Sequence, residues 1–173
     1  MPRDPFEQPE VLIRRVYAYV AYRVGDGADA EDVTSEVFEN ALRYRSSYDA
    51  TRGEPLAWLI GIARRSIANA LAARAQRPVD MVETPAPGDM AAETVERLAL
   101  DEALASLSER DQELIALRYG ADLKSQQIAW ILEIPTTNAA EVAVHRAVAR
   151  LREALRRQDE PWPEPFEEWS EVL

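Results

Sequence analysis

The chain has no cysteine and a single histidine, His145. Without thiols there is no disulfide, no thiolate metal site and no cysteine nucleophile. One imidazole builds neither a histidine metal centre nor a His-based relay, so the residues predict no catalytic site, no metal and no cofactor. No run of about 18 apolar residues occurs, which excludes a membrane-spanning helix. The opening MPRDPFEQPE is polar and lacks the apolar core of a secretory signal. No strand-like alternation and no internal repeat is visible. These absences predict a soluble, cytoplasmic, all-α protein that is not an enzyme.

What is present is a segregated charge pattern. The 173 residues carry 20 Lys and Arg against 31 Asp and Glu, a net charge of −11. Residues 1–42 are net −5, 43–77 net +5, 78–107 net −6, 108–157 net +1 with the bases crowded at the end, and 158–173 net −6. An acidic chain does not bind polyanions indiscriminately, but one that gathers arginine on two separated helical stretches touches a phosphate backbone at two places. An apolar content of 47% excludes wholesale disorder.

Helical spacing accounts for most of the chain. Leu12, Val16, Val20 and Val24 form one apolar stripe, ended by Gly25-Asp26-Gly27. Asp29 is expected to cap a second helix with Asp32 at its third position and a stripe of Val33, Val37, Phe38, Ala41 and Leu42. The polar stretch Arg43 to Glu54 reads as a loop or broken helix, and Pro55 opens a third helix through Leu56, Leu59, Ile60, Ala63, Ile67 and Leu71. Gln76 to Met90, with Pro78, Pro85, Pro87 and Gly88, is a linker long enough to hold two units some 40 Å apart. Beyond it, Val95, Leu98, Ala99, Leu104 and Leu107 suggest a helix. Ser108, with Asp111 at the third position, caps another that Gly120 closes. A short helix around Ile128 to Leu132, the turn Glu133-Ile134-Pro135-Thr136, and a last helix capped by Asn138 complete a helix-turn-helix layout.

Three stretches carry a family resemblance. Asp29-Ala30-Glu31-Asp32-Val33-Thr34-Ser35-Glu36-Val37-Phe38, Arg52 to Arg64, and Leu107 to Leu155 together resemble the extracytoplasmic-function (ECF) sigma factors of bacterial RNA polymerase. The resemblance implies two small helical domains joined by a flexible linker: residues 8–77 for core polymerase and the −10 element, 78–91 the linker, 92–157 the helix-turn-helix domain for the −35 element, and 158–173 an acidic aromatic tail. It implies as partners core polymerase through its β′ clamp and β flap, promoter DNA, and an anti-sigma protein. Asp29, Glu31, Asp32, Glu36 and Phe38 would dock on polymerase. Arg43, Tyr44, Tyr48 and Arg52 would hold an unpaired strand, which needs stacking surfaces next to cations. Arg64, Arg65 and Asn69 would contact −10 DNA, and Thr137, Asn138, Glu141, His145, Arg146 and Arg150 the −35 element. The alternative is a helix-turn-helix regulator or sigma-like adaptor that does not itself direct initiation. A protein that sequesters a partner through its acidic tail is a third.

The chain departs from the family pattern in its recognition helix. Ala139, Ala140, Glu141 and Val142 stand where Lys or Arg is common, Glu133 replaces the usual glycine of the turn, and Lys124 replaces a capping Ser. These changes predict weak or atypical −35 recognition. Plainer readings stand beside the sharp ones. Trp58 is expected in the core, the acids at Asp29 to Asp32 also suit an ordinary helix start, and His145 is more often structural than DNA-touching. The tail combines acids with Trp162, Phe166 and Trp169 and is expected either to fold back on a basic surface, to dock on a partner, or to act as a plain solubiliser.

Overall fold

The computed structural model describes residues 4–77 and 92–159. The expected linker at residues 78–91 and the expected tail at residues 160–173 lie outside the described residues. Among the described residues there is no strand. The helices are α1 (Pro9–Val24), α2 (Ala28–Arg43), α3 (Pro55–Ala75), α4 (Ala92–Ala105), α5 (Glu109–Ile115), α6 (Ser125–Ile131) and α7 (Thr137–Asp159).

α1, α2 and α3 form the first module. Their stripes meet face to face: Val16 and Val20 from α1, Val37 from α2, and Leu59, Ile60 and Ile67 from α3 are all buried. Gly25 (φ 92°) ends α1 and Gly27 (φ 110°) stands at the cap position of α2. The helix therefore starts at Ala28, and Asp29 is not its cap; Asp29 and Glu31 fall in the first turn, where the helix dipole favours acids. Leu42, expected on the apolar stripe, is exposed at the end of α2.

α4 to α7 form the second module. Ser108 caps α5 as expected, its hydroxyl accepting from the Asp111 amide at 3.2 Å. Lys124 has no capping side chain, and Gln127 supplies the bond instead, accepting from the Lys124 amide at 2.9 Å. The cap of α7 is Thr136, whose hydroxyl accepts from the Ala139 amide at 3.0 Å, so Asn138 sits inside the helix. Ala140, Val144 and Ala147 turn inward from α7. Val95 and Leu98 on α4 are exposed, contrary to the expected stripe.

The two modules are packed together into one continuous core. After Ile115 the chain makes a π-helical turn, Ala116–Gly120, and α1 lies across it. Gly120 does not simply close a helix. A Cβ there would stand 2.7 Å from Tyr19 Cα and 2.8 Å from Tyr19 N, so only glycine admits this approach. Ala116, Leu117, Ala121 and Leu123 are fully buried beneath α1. Arg15 of α1 donates to the carbonyls of Ala121 and Asp122, at 2.8 Å each, satisfying groups the turn leaves unpaired.

Candidate nucleic-acid and polymerase interfaces

On α2, Asp29, Glu31 and Asp32 are exposed and form an acidic face at the start of the helix. Glu36 is exposed but accepts from the Ser66 hydroxyl at 2.9 Å, tying α2 to α3. Phe38 is half-buried and packs against the core. The freely presented part of the expected docking set is thus its first three acids.

The loop after α2 is more ordered than its polarity suggests. Arg45–Ser47 form a 3-10 turn, and Asp49 accepts from both the amide (2.9 Å) and hydroxyl (2.7 Å) of Thr51. Tyr48 packs on Trp58 with ring centroids 5.4 Å apart, and Phe6 meets the same indole edge-on at 6.4 Å. Arg45 lies over Phe6 and pairs with Asp4 at 2.8 Å. This cluster makes Trp58 part of the packing, as expected, and draws Tyr48 into it. Tyr44 remains 54% exposed, flanked in sequence by the exposed Arg43. Arg52 is exposed further along the loop.

Neighbouring arginines on α3 have different fates. Arg65 and Asn69 are exposed. Arg64 crosses to the second module, its Nε 3.1 Å from Glu113 Oε1 and its Nη1 donating to the Ile131 carbonyl at 3.5 Å. Glu113 is the centre of a polar cluster that sequence reasoning missed. The fully buried Tyr19 hydroxyl donates to Glu113 Oε1 at 2.8 Å. Arg23, only 8% exposed, has Nε 3.2 Å from Glu113 Oε2 in an ion pair without hydrogen-bond alignment. Its Nη1 donates to the Glu109 carbonyl (3.2 Å) and Gln112 Oε1 (3.3 Å). Burial, reinforced by the Glu113 charge, pushes the Tyr19 phenol far above its ordinary range, so it stays a neutral donor.

On α7, Thr137, Asn138, Glu141 and His145 are exposed. His145 Nε2 lies 3.9 Å from Glu141 Oε1, one helical turn away. Arg146 and Arg150 are exposed on the flank toward α5, and Arg150 pairs with Asp111 at 2.8 Å. The loop and the start of α3 face α6 and its following turn across a cleft of about 800 Å³, lined by Tyr48, Arg52, Trp58, Arg64, Trp130 and Ile134. Trp130 is 61% exposed. Its signal in the sequence is an aromatic off the apolar face set by Ile128, Ala129, Ile131 and Leu132.

The Sigma-70 region 2 family matches residues 10–77, and the Sigma-70 region 4 family matches residues 97–151. The order of these two regions on an all-helical chain defines a sigma-70-type protein. The ECF RNA polymerase sigma factor SigK of Mycobacterium ulcerans is 31% identical over 151 residues, covering 82% of this chain and 76% of that protein. The ECF sigma factor BldN of Streptomyces coelicolor is 32% identical over 148 residues, covering 81% of this chain and 56% of BldN. The solved structure of the sigma factor RpoE in complex with the anti-sigma factor NepR from Bartonella quintana shares the fold, with a TM-score of 0.67 at 21% identity over 89% of this chain and 98% of that one. The chain belongs to the ECF RNA polymerase sigma factors, proteins of transcription initiation and not a class of catalysts. Among the described residues no helix is long and apolar enough to cross a membrane.

Proposed function

We propose that this sigma factor works in the cytoplasm, has no enzymatic activity of its own, and binds core polymerase through the exposed Asp29, Glu31 and Asp32 face of α2, with Glu36 beside it. Residues 8–77 act as the polymerase and −10 unit, 92–157 as the −35 unit, 78–91 as their connector and 158–173 as an appended tail. Core polymerase engages the units through its β′ clamp and β flap, and an anti-sigma protein is the expected antagonist. In the loop, Tyr44 offers an exposed ring beside the cation of Arg43, while Tyr48 and Arg52 line the cleft, a pairing suited to an unstacked base. Arg65 and Asn69 face solvent and are free to meet −10 DNA. Arg64 is held at Glu113, so its contact with DNA requires the modules to loosen.

At the −35 unit, Asn138 and Glu141 are the candidate base readers, Glu141 through a cytosine amino group, with Thr137, His145, Arg146 and Arg150 around them. With only Arg146 and Arg150 as cations among these, and Arg150 already paired, weak −35 affinity follows. The observation that carries the reading is the exposed acidic face on α2 standing apart from the exposed Arg43–Tyr44 pair on the same module. Run-off transcription with core polymerase on a genomic promoter pool tests it directly. Changing Asp29, Asp32 and Glu36 to Lys is expected to abolish capture of core polymerase while the fold, followed by circular dichroism, is kept. Undiminished capture removes the docking assignment.

A further inference from the structure

The face of the second module away from α1 carries a groove of about 850 Å³ between the α4–α5 turn, α5 and α7. Its floor is apolar, with Leu107, Leu114 and Ala143, and its rim is cationic, with Arg110, Arg146, Arg150 and Arg157. The two acids that line it are already engaged. Asp111 is paired with Arg150, and Glu153 with Arg156 and Arg157. Arg110 and Arg146 have no carboxylate partner among the described residues and are exposed. A rim with two unpaired cations over an apolar floor suits a ligand that is acidic and aromatic at once.

The chain itself supplies such a ligand. Residues 160–173 contain Glu160, Glu164, Glu167, Glu168 and Glu171, no base, and Trp162, Phe166 and Trp169 between them. We propose that this segment of the same chain docks in the groove, its aromatic rings over the Leu107–Leu114 floor and its carboxylates at Arg110 and Arg146. The reach is adequate. α7 ends at Asp159, next to the Arg157 end of the groove, and Ala143 to Arg157 spans roughly 20 Å of helix. Fourteen residues at about 3 Å each extend to about 40 Å, enough to turn back and run the full length. Pro161, Pro163 and Pro165 favour an extended segment of low conformational entropy, which lowers the cost of docking. Indole and guanidinium side by side add cation–π attraction. The docked tail would hold Arg146, a candidate −35 contact, so occupancy of the groove would compete with DNA.

The docking does not depend on the promoter reading; only the competition with DNA does. The absence of native cysteine makes the test simple. A paramagnetic label on Ser170→Cys in the full chain is expected to broaden the amide signals of Leu107, Arg110, Leu114 and Ala143. The double variant Arg110→Glu/Arg146→Glu should abolish that broadening, and so should about 1 M salt, where the screening length falls to about 3 Å. An unbroadened groove overturns the proposal, as does broadening that survives both charge reversal and salt, or that arises only when polymerase is added. Removing residues 160–173 should then tighten binding to a −35 duplex by on the order of tenfold. Docking without that gain keeps the groove assignment and breaks the −35 role of Arg146.

Discussion

The two modules meet on one side and stand apart on the other. Along α1, Tyr19 presses on Gly120 so closely that no Cβ fits, and Leu117 and Leu123 are wholly buried. Across the loop and α6, the same modules enclose a cleft of about 800 Å³ with Trp130 largely in solvent. The closed seam draws on apolar burial plus a buried charge cluster that tolerates no missing member. The cleft has less to lose, its direct bonds among the described residues being two long ones, Gln127 to Glu54 at 3.4 Å and Arg64 to the Ile131 carbonyl at 3.5 Å. Attachment of one module to the other therefore rests mainly on the seam, and on the cleft side Arg52 and Trp130 stay exposed.

The sharpest way to break that contrast is Glu113→Ala. It leaves Arg23 buried with only the exposed Glu109 as a charged partner and removes the acceptor of Tyr19. A loss of about 3 to 5 kcal/mol in chemical denaturation is expected, and a small loss would mean the seam does not hold the modules. Next comes Gly120→Ala. In an ordinary helix this change stabilises by up to about 1 kcal/mol. Here the new Cβ meets Tyr19 backbone, so the sign should reverse to a loss of about 1 to 3 kcal/mol with a larger radius of gyration by small-angle scattering. A gain in stability would show that the modules are already apart in solution.

Glu133 holds φ at 53°, a left-handed conformation that favours glycine. Glu133→Gly should raise stability by up to about 1 kcal/mol, read as a higher melting temperature, without touching the seam. A weaker effect concerns an exposed tie between the modules, Arg97 of α4 to Asp26 at 2.9 Å. The Tyr17 hydroxyl, followed by Arg97, holds the Asp26 carboxyl below its ordinary range. A depressed carboxyl contributes stability that is present above its unfolded-state pKa and is lost as pH falls through the folded value. Asp26→Asn should flatten the acid limb of the stability curve. Burial raises the neighbouring Asp101 instead, so its charged form destabilises the fold above the folded value and that penalty is relieved as pH falls through it. Smallest of all, Trp130→Ala on the cleft should change stability by less than about 0.5 kcal/mol. A larger loss would mean that the cleft side also binds the modules.

Helix positions were legible wherever apolar spacing was regular. Leu12, Val16, Val20 and Val24 are buried as their four-residue interval predicts, and Ser108 caps α5. The errors cluster where a backbone group or a neighbour decides. Gly27 and Thr136, not Asp29 and Asn138, occupy cap positions, because several residues in each run satisfy the same preference and only the turn geometry chooses. Tyr48 has a local partner in Trp58, ten positions along the chain, that periodicity does not register. Of the candidate site residues, Arg43, Tyr44, Arg65 and Asn69 are exposed. Nothing local to Arg64 distinguishes it from Arg65, yet one reaches Glu113 and the other faces solvent.

The order of amino acids by itself determined an all-helical chain of two units, the separation of acidic from basic stretches, and membership of a family that starts transcription. These follow from short-range spacing and from motifs that are contiguous along the chain. Only the tertiary structure decided that α1 lies on a π-helical turn, that Gly120 is a point of contact, and that Arg23, Arg64 and Tyr19 converge on one carboxylate. Those partners stand up to 94 positions apart, and their meeting is set by the packing of whole helices, which no local pattern encodes.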